Sequence, residues 1–203
     1  MTSRTLYLKE THTRFWDGMA ERNKGYAKVL PSNMTDEEVE EETERAISII
    51  RDFCKSGAKV LDAGCGVGRA DGKLQDCGYS TVGLDLSAKM VEYARENNPN
   101  VDFVVGDIAN MPFKDGSFDL VFELSVLLHQ PNERVGQMLE EFKRVSREGI
   151  LIFPNAKPFK TSVYCFYRPL GFYEESLVPF EKVKEVEVDS KWGSAVAMLF
   201  SKI

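Results

Sequence analysis

The chain has 203 residues, of which 43% are apolar, a length and composition typical of one globular domain with a sizeable core. Its formal net charge of −6 argues against a broad basic surface for a nucleic-acid backbone. No apolar run approaches the ~20 residues of a membrane helix, and the first residues lack the apolar segment of a signal peptide. The spacing of the four cysteines fits neither a zinc site nor a disulfide framework, so we expect thiols in a cytoplasmic protein without a metal centre.

Charge is uneven near the N-terminus. Residues 1–30 carry six Lys or Arg against three Asp or Glu, whereas residues 35–44 carry six Glu and one Asp. Apolar residues at helical spacing predict a first helix over 11–29, weakened by two glycines. Thr35 with Glu38 three positions later forms a capping box, which predicts a second helix from Asp36 to about Lys55. We expect the acidic run to be the solvated face of that second helix.

From residue 59 onward, apolar strands alternate with helices. The predicted strands are 59–63, 81–85, 101–106, 118–123 and 149–153, and the predicted helices are 72–77, 88–97 and 132–146. Such an alternation is typical of a parallel sheet covered by helices on both faces. Two further apolar segments around Lys191-Trp192-Gly193 predict a terminal β-hairpin. We therefore expect one α/β domain with an N-terminal lid (1–34), a core (35–153), a cap (154–180) and a hairpin (181–203).

Glycines at alternate positions follow the first predicted strand, in KVLDAGCGVGRADG at residues 59–72. Ligands of open parallel sheets bind at the carboxyl ends of the strands, and Gly64 and Gly66 let a ligand approach the backbone closely. Asp85 ends the second strand about 20 residues later, where a carboxylate accepts both hydroxyls of a ribose. The pair predicts an adenosine-containing cofactor. A ligand-free turn and a helix-capping Asp85 are the plainer alternatives.

The motif is not that of a dinucleotide enzyme, because Arg69 stands where that fingerprint has its third glycine; a nicotinamide oxidoreductase therefore ranks last. D-x-G-x-G-x-G, from Asp62 to Gly68, resembles motif I of the class I S-adenosylmethionine-dependent methyltransferases. GDIANMPFKDGSFDLVFELSVLLH, residues 106–129, resembles later motifs of the small type 11-like members related to ubiquinone and menaquinone biosynthesis. FWDGMAER, residues 15–22, is similar to their N-terminal helix. The resemblance covers about residues 58–153 and implies a doubly wound, mostly parallel seven-stranded sheet in the order 3-2-1-4-5-7-6.

The same resemblance implies S-adenosylmethionine as the cofactor and S-adenosylhomocysteine as the product. It assigns the ribose to Asp85, the adenine amino group to Asp107 and the methionine ammonium to Asp62. The other positions implied at the cofactor are Ala63, Gly64, Cys65, Gly66, Gly68, Leu86, Met90, Ile108, Glu123 and Leu124. For Leu86 and Ile108, ordinary core packing is the alternative. Trp16 and Tyr26 on the lid helix would cover the methionine end, with simple packing of that helix as the alternative.

The chain has two histidines. His129 follows the fourth strand, and an imidazole there can accept a proton from the acceptor near neutral pH; a structural histidine is the alternative. His12 is expected at the surface. Residues 157–173 are rich in aromatic and basic side chains, which predicts an acceptor pocket, the core of a helical cap or an oligomer interface. Arg168 in this segment is expected either to bind an acidic group of the acceptor or to be an exposed charge that aids solubility.

We expect a monomer or homodimer that moves a methyl group to an oxygen, nitrogen or carbon of a small-molecule acceptor. Proximity and in-line orientation supply much of such catalysis. Two alternatives stay open: a tRNA-modifying methyltransferase, which the basic arm permits and the net charge opposes, and a non-catalytic cofactor-binding partner subunit.

Overall fold

A computed structural model describes residues 3–22, 35–155, 157, 165–190 and 193–202. Its α-helices are α1 Ser3–Arg22, α2 Asp36–Phe53, α3 Asp71–Asp76, α4 Ala88–Asn97, α5 Asn132–Val145 and α6 Leu170–Ser176. Its strands are β1 Lys59–Ala63, β2 Ser80–Asp85, β3 Asp102–Val105, β4 Phe118–Phe122, β5 Ser146–Ile152, β6 Phe180–Ser190 and β7 Gly193–Lys202. The seven strands form one sheet in the order β3-β2-β1-β4-β5-β7-β6. The predicted fold class and strand order are confirmed.

The starts of two predicted elements differ clearly from the observed ones. Helix α1 begins at Ser3, not at residue 11, because a helix continues through polar residues that an apolar periodicity does not register. Residues 23–29 of the predicted 11–29 helix, with Tyr26, lie outside the described residues. Strand β5 begins at Ser146, directly after α5, because the Ser146 hydroxyl donates to the Gly149 carbonyl at 2.7 Å and Ser146 pairs with Phe118.

The capping box predicted at Thr35 starts α2. The Glu38 amide donates to Thr35 Oγ1 at 3.3 Å, and the Thr35 amide donates to Glu38 Oε2 at 2.8 Å. Helix α2 buries an apolar stripe that includes Ala46, Ile47 and Ile50. Its glutamates lie mostly on the opposite face, as predicted for the acidic run.

By its internal contacts the chain divides into two compact units, each described by itself: unit 1 is Met1–Ala58 with Gly64–Asp107, and unit 2 is Lys59–Ala63 with Ile108–Ile203. In unit 1, β2 pairs with β3 in parallel, so that Leu84 lies opposite Val104. Helix α4 covers these strands through a buried cluster of Cys65, Val91, Ala94, Val101 and Phe103.

Unit 2 contains the other five strands. Strand β4 pairs in parallel with β1 and β5, and β5 continues antiparallel into the β7–β6 hairpin. Helix α5 buries the stripe predicted for it, which includes Val135, Met138, Leu139 and Phe142. A register shift between Lys182 and Lys184 leaves Val183 57% exposed. Among the described residues, no helix is long and apolar enough to cross a bilayer.

Candidate cofactor site

The loop after β1 bends through three glycines with left-handed backbone. Gly64, Gly66 and Gly68 have φ of 96°, 54° and 77°, a region that glycine adopts without a steric penalty. The amides of Gly64 and Cys65 both donate to the Leu84 carbonyl, at 2.7 and 3.1 Å. A Cβ built on Gly66 would meet nothing within 4 Å. The backbone at Gly66 therefore borders open space, as the approach of a ligand requires.

Asp85 links this loop to the start of α4. Its Oδ2 accepts the Gly66 amide at 3.0 Å, and its Oδ1 accepts the Ser87 amide at 2.8 Å. Burial raises the pKa of the half-buried carboxyl, the two amides lower it, and the nearby Asp17 carboxylate raises it again. A carboxylate oxygen that accepts one amide retains a lone pair for another donor. Asp85 is thus held in place and can still accept ribose hydroxyls.

Gly68 has a different role from Gly66. A Cβ there would lie 2.7 Å from Asn98 Nδ2 and 2.9 Å from Phe103 Cζ. Asn98 Nδ2 donates to the Gly68 carbonyl at 2.9 Å, and Asn97 Nδ2 donates to the Val67 carbonyl at 3.2 Å. The third glycine is required by packing against α4 and β3. Sequence reasoning took Asn97 and Asn98 only as a helix end and missed this contact.

Helix α1 lies beside the same loop. Trp16 and Met19 pack, partly buried, against a small core of Ala20, Val67 and Met90. The predicted placement of Trp16 on a helix near the glycine loop is consistent with this packing, and Met90 is 2% exposed in the contact. The other predicted lid residue, Tyr26, lies outside the described residues.

The first histidine of the chain, His12, is buried at 8% exposure on this helix, so its expected surface location was wrong: α1 packs against a core instead of projecting into solvent.

Two further predicted residues of unit 1, Leu86 and Asp107, lie at the ends of β2 and β3. The Gly106 amide donates to the Asp85 carbonyl at 2.8 Å, which keeps the β3 end beside the β2 end. Asp107, the predicted adenine acceptor, follows directly and is buried. Leu86 is half-buried. Cys65 belongs to the core cluster under α4.

In unit 2 the predicted residues lie at the ends of β1 and β4, apart from Ile108, which lies in the segment between β3 and β4. Asp62, Ala63, Ile108 and Leu124 are buried. Glu123 is 1% exposed; its Oε2 accepts the amides of Val126 and Leu127 at 2.8 and 3.3 Å, and its Oε1 accepts the Phe153 amide at 2.7 Å. The Glu123 carboxylate therefore shapes the turn after β4, in which Ser125 has a φ of 62°.

His129 lies on a 3₁₀ turn, Leu127–His129, that follows this loop. Its Nδ1 is 3.6 Å from Cys165 Sγ, and its side chain is half-buried.

Arg168 holds the same turn. It is 3% exposed, and its guanidinium donates to the carbonyls of Leu127, at 3.0 Å, and Gln130. The expected role of Arg168 toward an acceptor or the solvent was therefore wrong, because its donors serve buried backbone. Beside it, burial raises the pKa of Tyr173 to about 12.

Comparison with known proteins agrees with this architecture. Residues 60–149 match the family model described as a methyltransferase domain. Magnesium protoporphyrin IX methyltransferase of Synechocystis PCC 6803, solved with bound SAM, has a TM-score of 0.77 at 18% identity and covers 96% of this chain and 97% of its own. The chain is thus similar in sequence to a methyltransferase domain over residues 60–149, and its fold is that of a solved methyltransferase.

Curated relatives match the chain over part of their own length. A malonyl-[acyl-carrier protein] O-methyltransferase of Yersinia pestis is 40% identical over 97 residues, which cover 48% of this chain and 36% of that protein. A demethylmenaquinone methyltransferase of Beutenbergia cavernae is 35% identical over 130 residues, which cover 63% of this chain and 52% of that protein. The chain thus spans about a third to a half of these relatives.

The two loop glycines should respond differently to a methyl group. We expect Gly68→Ala to destabilise the protein by about 2–4 kcal/mol, from left-handed strain plus a clash with Asn98 and Phe103. Gly66→Ala should cost about 1–2 kcal/mol, from strain alone, since its Cβ enters open space. Urea unfolding without ligand measures both free energies. Equal losses for the two variants would contradict the assignment of Gly66 to the ligand side and Gly68 to the packing side.

Replacing Glu123 by glutamine tests its role in the turn. A glutamine oxygen can accept from only one side, so its NH₂ must face either the Phe153 amide or the Val126 and Leu127 amides. We expect Glu123→Gln to lower the free energy of unfolding by about 1–3 kcal/mol. Glu148→Gln, at an exposed acid of β5, should stay within about 0.5 kcal/mol of the wild type. Identical urea midpoints for both variants would disprove this role.

Proposed function

We propose that the protein is an S-adenosylmethionine-dependent methyltransferase that methylates an oxygen, nitrogen or carbon of a small-molecule acceptor. One observation carries the proposal: the open backbone edge at Gly66 lies hydrogen-bonded to the carboxylate of Asp85. A nucleoside needs both parts, one for close approach and one for its ribose hydroxyls. The methyltransferase domain match supports the transfer activity.

The residues present fit the cofactor. Asp85 would accept the ribose hydroxyls, and the buried Asp107 would accept the adenine amino group. Asp62, buried at the end of β1, would receive the methionine ammonium. When bound, S-adenosylmethionine supplies an electrophilic methyl group on its sulfonium. The task of the protein is then to hold cofactor and acceptor in line, which is worth ~7–11 kcal/mol of the barrier.

His129 is the proposed general base for acceptors that must lose a proton. Its support is its position on the turn after β4, which Glu123 and Arg168 hold through backbone hydrogen bonds. A proton on Nδ1, directed at Cys165 Sγ, makes Nε2 the basic nitrogen of the ring. An acceptor that is already nucleophilic does not require this step.

A small molecule is favoured as acceptor over tRNA because the chain carries a net charge of −6, and nucleic-acid binding depends on basic surface. The named relatives act, by their names, on malonyl-acyl carrier protein, demethylmenaquinone and magnesium protoporphyrin IX. These different acceptors support methyl transfer as the class of reaction, and the acceptor of this protein has to be identified by experiment.

Replacing Asp85 tests the cofactor assignment. We expect Asp85→Asn to weaken S-adenosylmethionine binding at least ~10-fold, because a charged acceptor of hydroxyl protons is lost. Asp102→Asn, at an exposed acid of β3 in the same unit, should bind like the wild type. Isothermal titration calorimetry measures both affinities. Affinity should also fall as the pH is lowered through the pKa of Asp85, with a midpoint above the usual aspartate range because burial raises that pKa. Asp85→Asn should lack this decrease.

Labelled cofactor tests the transfer. Incubated with S-[methyl-³H]adenosylmethionine and desalted extract plus its low-molecular-weight fraction, the protein should move label into a small-molecule product; Asp85→Asn is the matched control. Label in tRNA would favour the RNA-modifying alternative. Tight cofactor binding without label in any fraction would favour the partner-subunit alternative.

A further inference from the structure

Helix α1 places a second carboxylate next to Asp85. The Ser87 amide donates to Asp85 Oδ1 at 2.8 Å, while the Ser87 hydroxyl donates to Asp17 Oδ1. The same hydroxyl accepts the Met90 amide at 3.1 Å and so caps α4. Ser87 is fully buried. Two acids therefore meet at one buried residue, and all of these groups belong to unit 1.

The two carboxylates repel each other. The Asp17 charge raises the pKa of Asp85, which burial has already raised. The nearest lysine in sequence, Lys89, donates its ammonium to Glu92 at 2.9 Å, and Glu21 of α1 also raises its pKa. The amides at the α4 start offset part of the repulsion. A positive charge near the pair would relieve the rest.

We infer that Asp17 makes the site prefer the charged cofactor, S-adenosylmethionine, over its neutral product. The inference rests on the proposed function. The sulfonium is bonded to C5′ of the same ribose whose hydroxyls Asp85 would accept, so a bound cofactor would carry its positive charge on the sugar that this carboxylate holds. Methyl transfer would form a bond between the acceptor's electron pair and the methyl carbon and break the S–CH₃ bond, whose electron pair returns to sulfur, so that the positive charge on sulfur is lost. The acid pair then attracts the product less than the substrate.

Such a preference has a use in turnover. Substrate and product share adenosine and the amino-acid end, so hydrogen bonds to those parts hold both equally. A carboxylate that responds to the sulfonium alone separates the two and favours exchange of product for substrate. Asp17 is thus a specificity-determining residue, whereas Trp16 and Met19 on the same helix contribute apolar packing.

Isothermal titration calorimetry with Asp17→Asn tests the inference. The asparagine oxygen still accepts the Ser87 hydroxyl, so the helix contact is kept while the charge is removed. We expect S-adenosylmethionine to bind about 3- to 10-fold more weakly and S-adenosylhomocysteine to change by less than about 2-fold. Sinefungin, which carries an ammonium in place of the sulfonium, should follow S-adenosylmethionine. Glu21→Gln, at an exposed acid of α1, is the matched control and should leave the affinity ratio unchanged.

Other outcomes would overturn the inference. If both ligands bind equally more weakly, Asp17 serves only to hold α1 against Ser87. If neither affinity changes, Asp17 has no role in cofactor recognition. If the wild type binds both ligands and the ratio does not move, this inference alone fails. If the wild type binds neither ligand, the proposed function fails and the inference with it. Thermal unfolding of each variant confirms that the fold is retained.

Discussion

The hydrogen bonds from the Gly66 and Ser87 amides to the Asp85 carboxylate fix the glycine loop against the start of α4. A half-buried carboxylate is costly to keep ionised unless donors surround it, and here the donors come from the two segments that must be aligned. The glycine loop and the first turn of α4 are therefore placed by the same acid that would bind the ribose. Helix α1 joins them through Ser87.

Buried charge is used in a second way after β4. The Glu123 carboxylate accepts hydrogen bonds from three backbone amides, and Arg168 donates to two carbonyls at the adjoining 3₁₀ turn. A buried ionic side chain that serves backbone groups avoids the penalty of unpaired polar atoms and at the same time defines one loop conformation. The turn that carries His129 is consequently held by two buried charged side chains.

Much of this fold follows from local sequence pattern, and the rest does not. Alternating apolar strands and helices, the Thr35 capping box and the glycine loop with Asp85 are encoded within short windows, so they could be predicted. The strand order came from the family resemblance. Asp17, Asn98 and Arg168 carry no local signal, since an exposed and a buried polar residue look alike until tertiary neighbours are known. The short helix α6 and the true start of α1 were missed for a related reason: neither has a strong apolar period.

The side chain of Asn98 ties the spacing of the glycine motif to the far end of α4. Besides donating to the Gly68 carbonyl, it fills the space that a methyl group on Gly72 would need, with Oδ1 only 2.1 Å from such an atom. Positions 68, 72 and 98 therefore form one steric unit. A homologue with a larger residue at 72 has to shorten position 98 as well and find another donor for the loop carbonyl. A larger residue at 68 also requires a smaller side chain at 103, so these sites should diverge together.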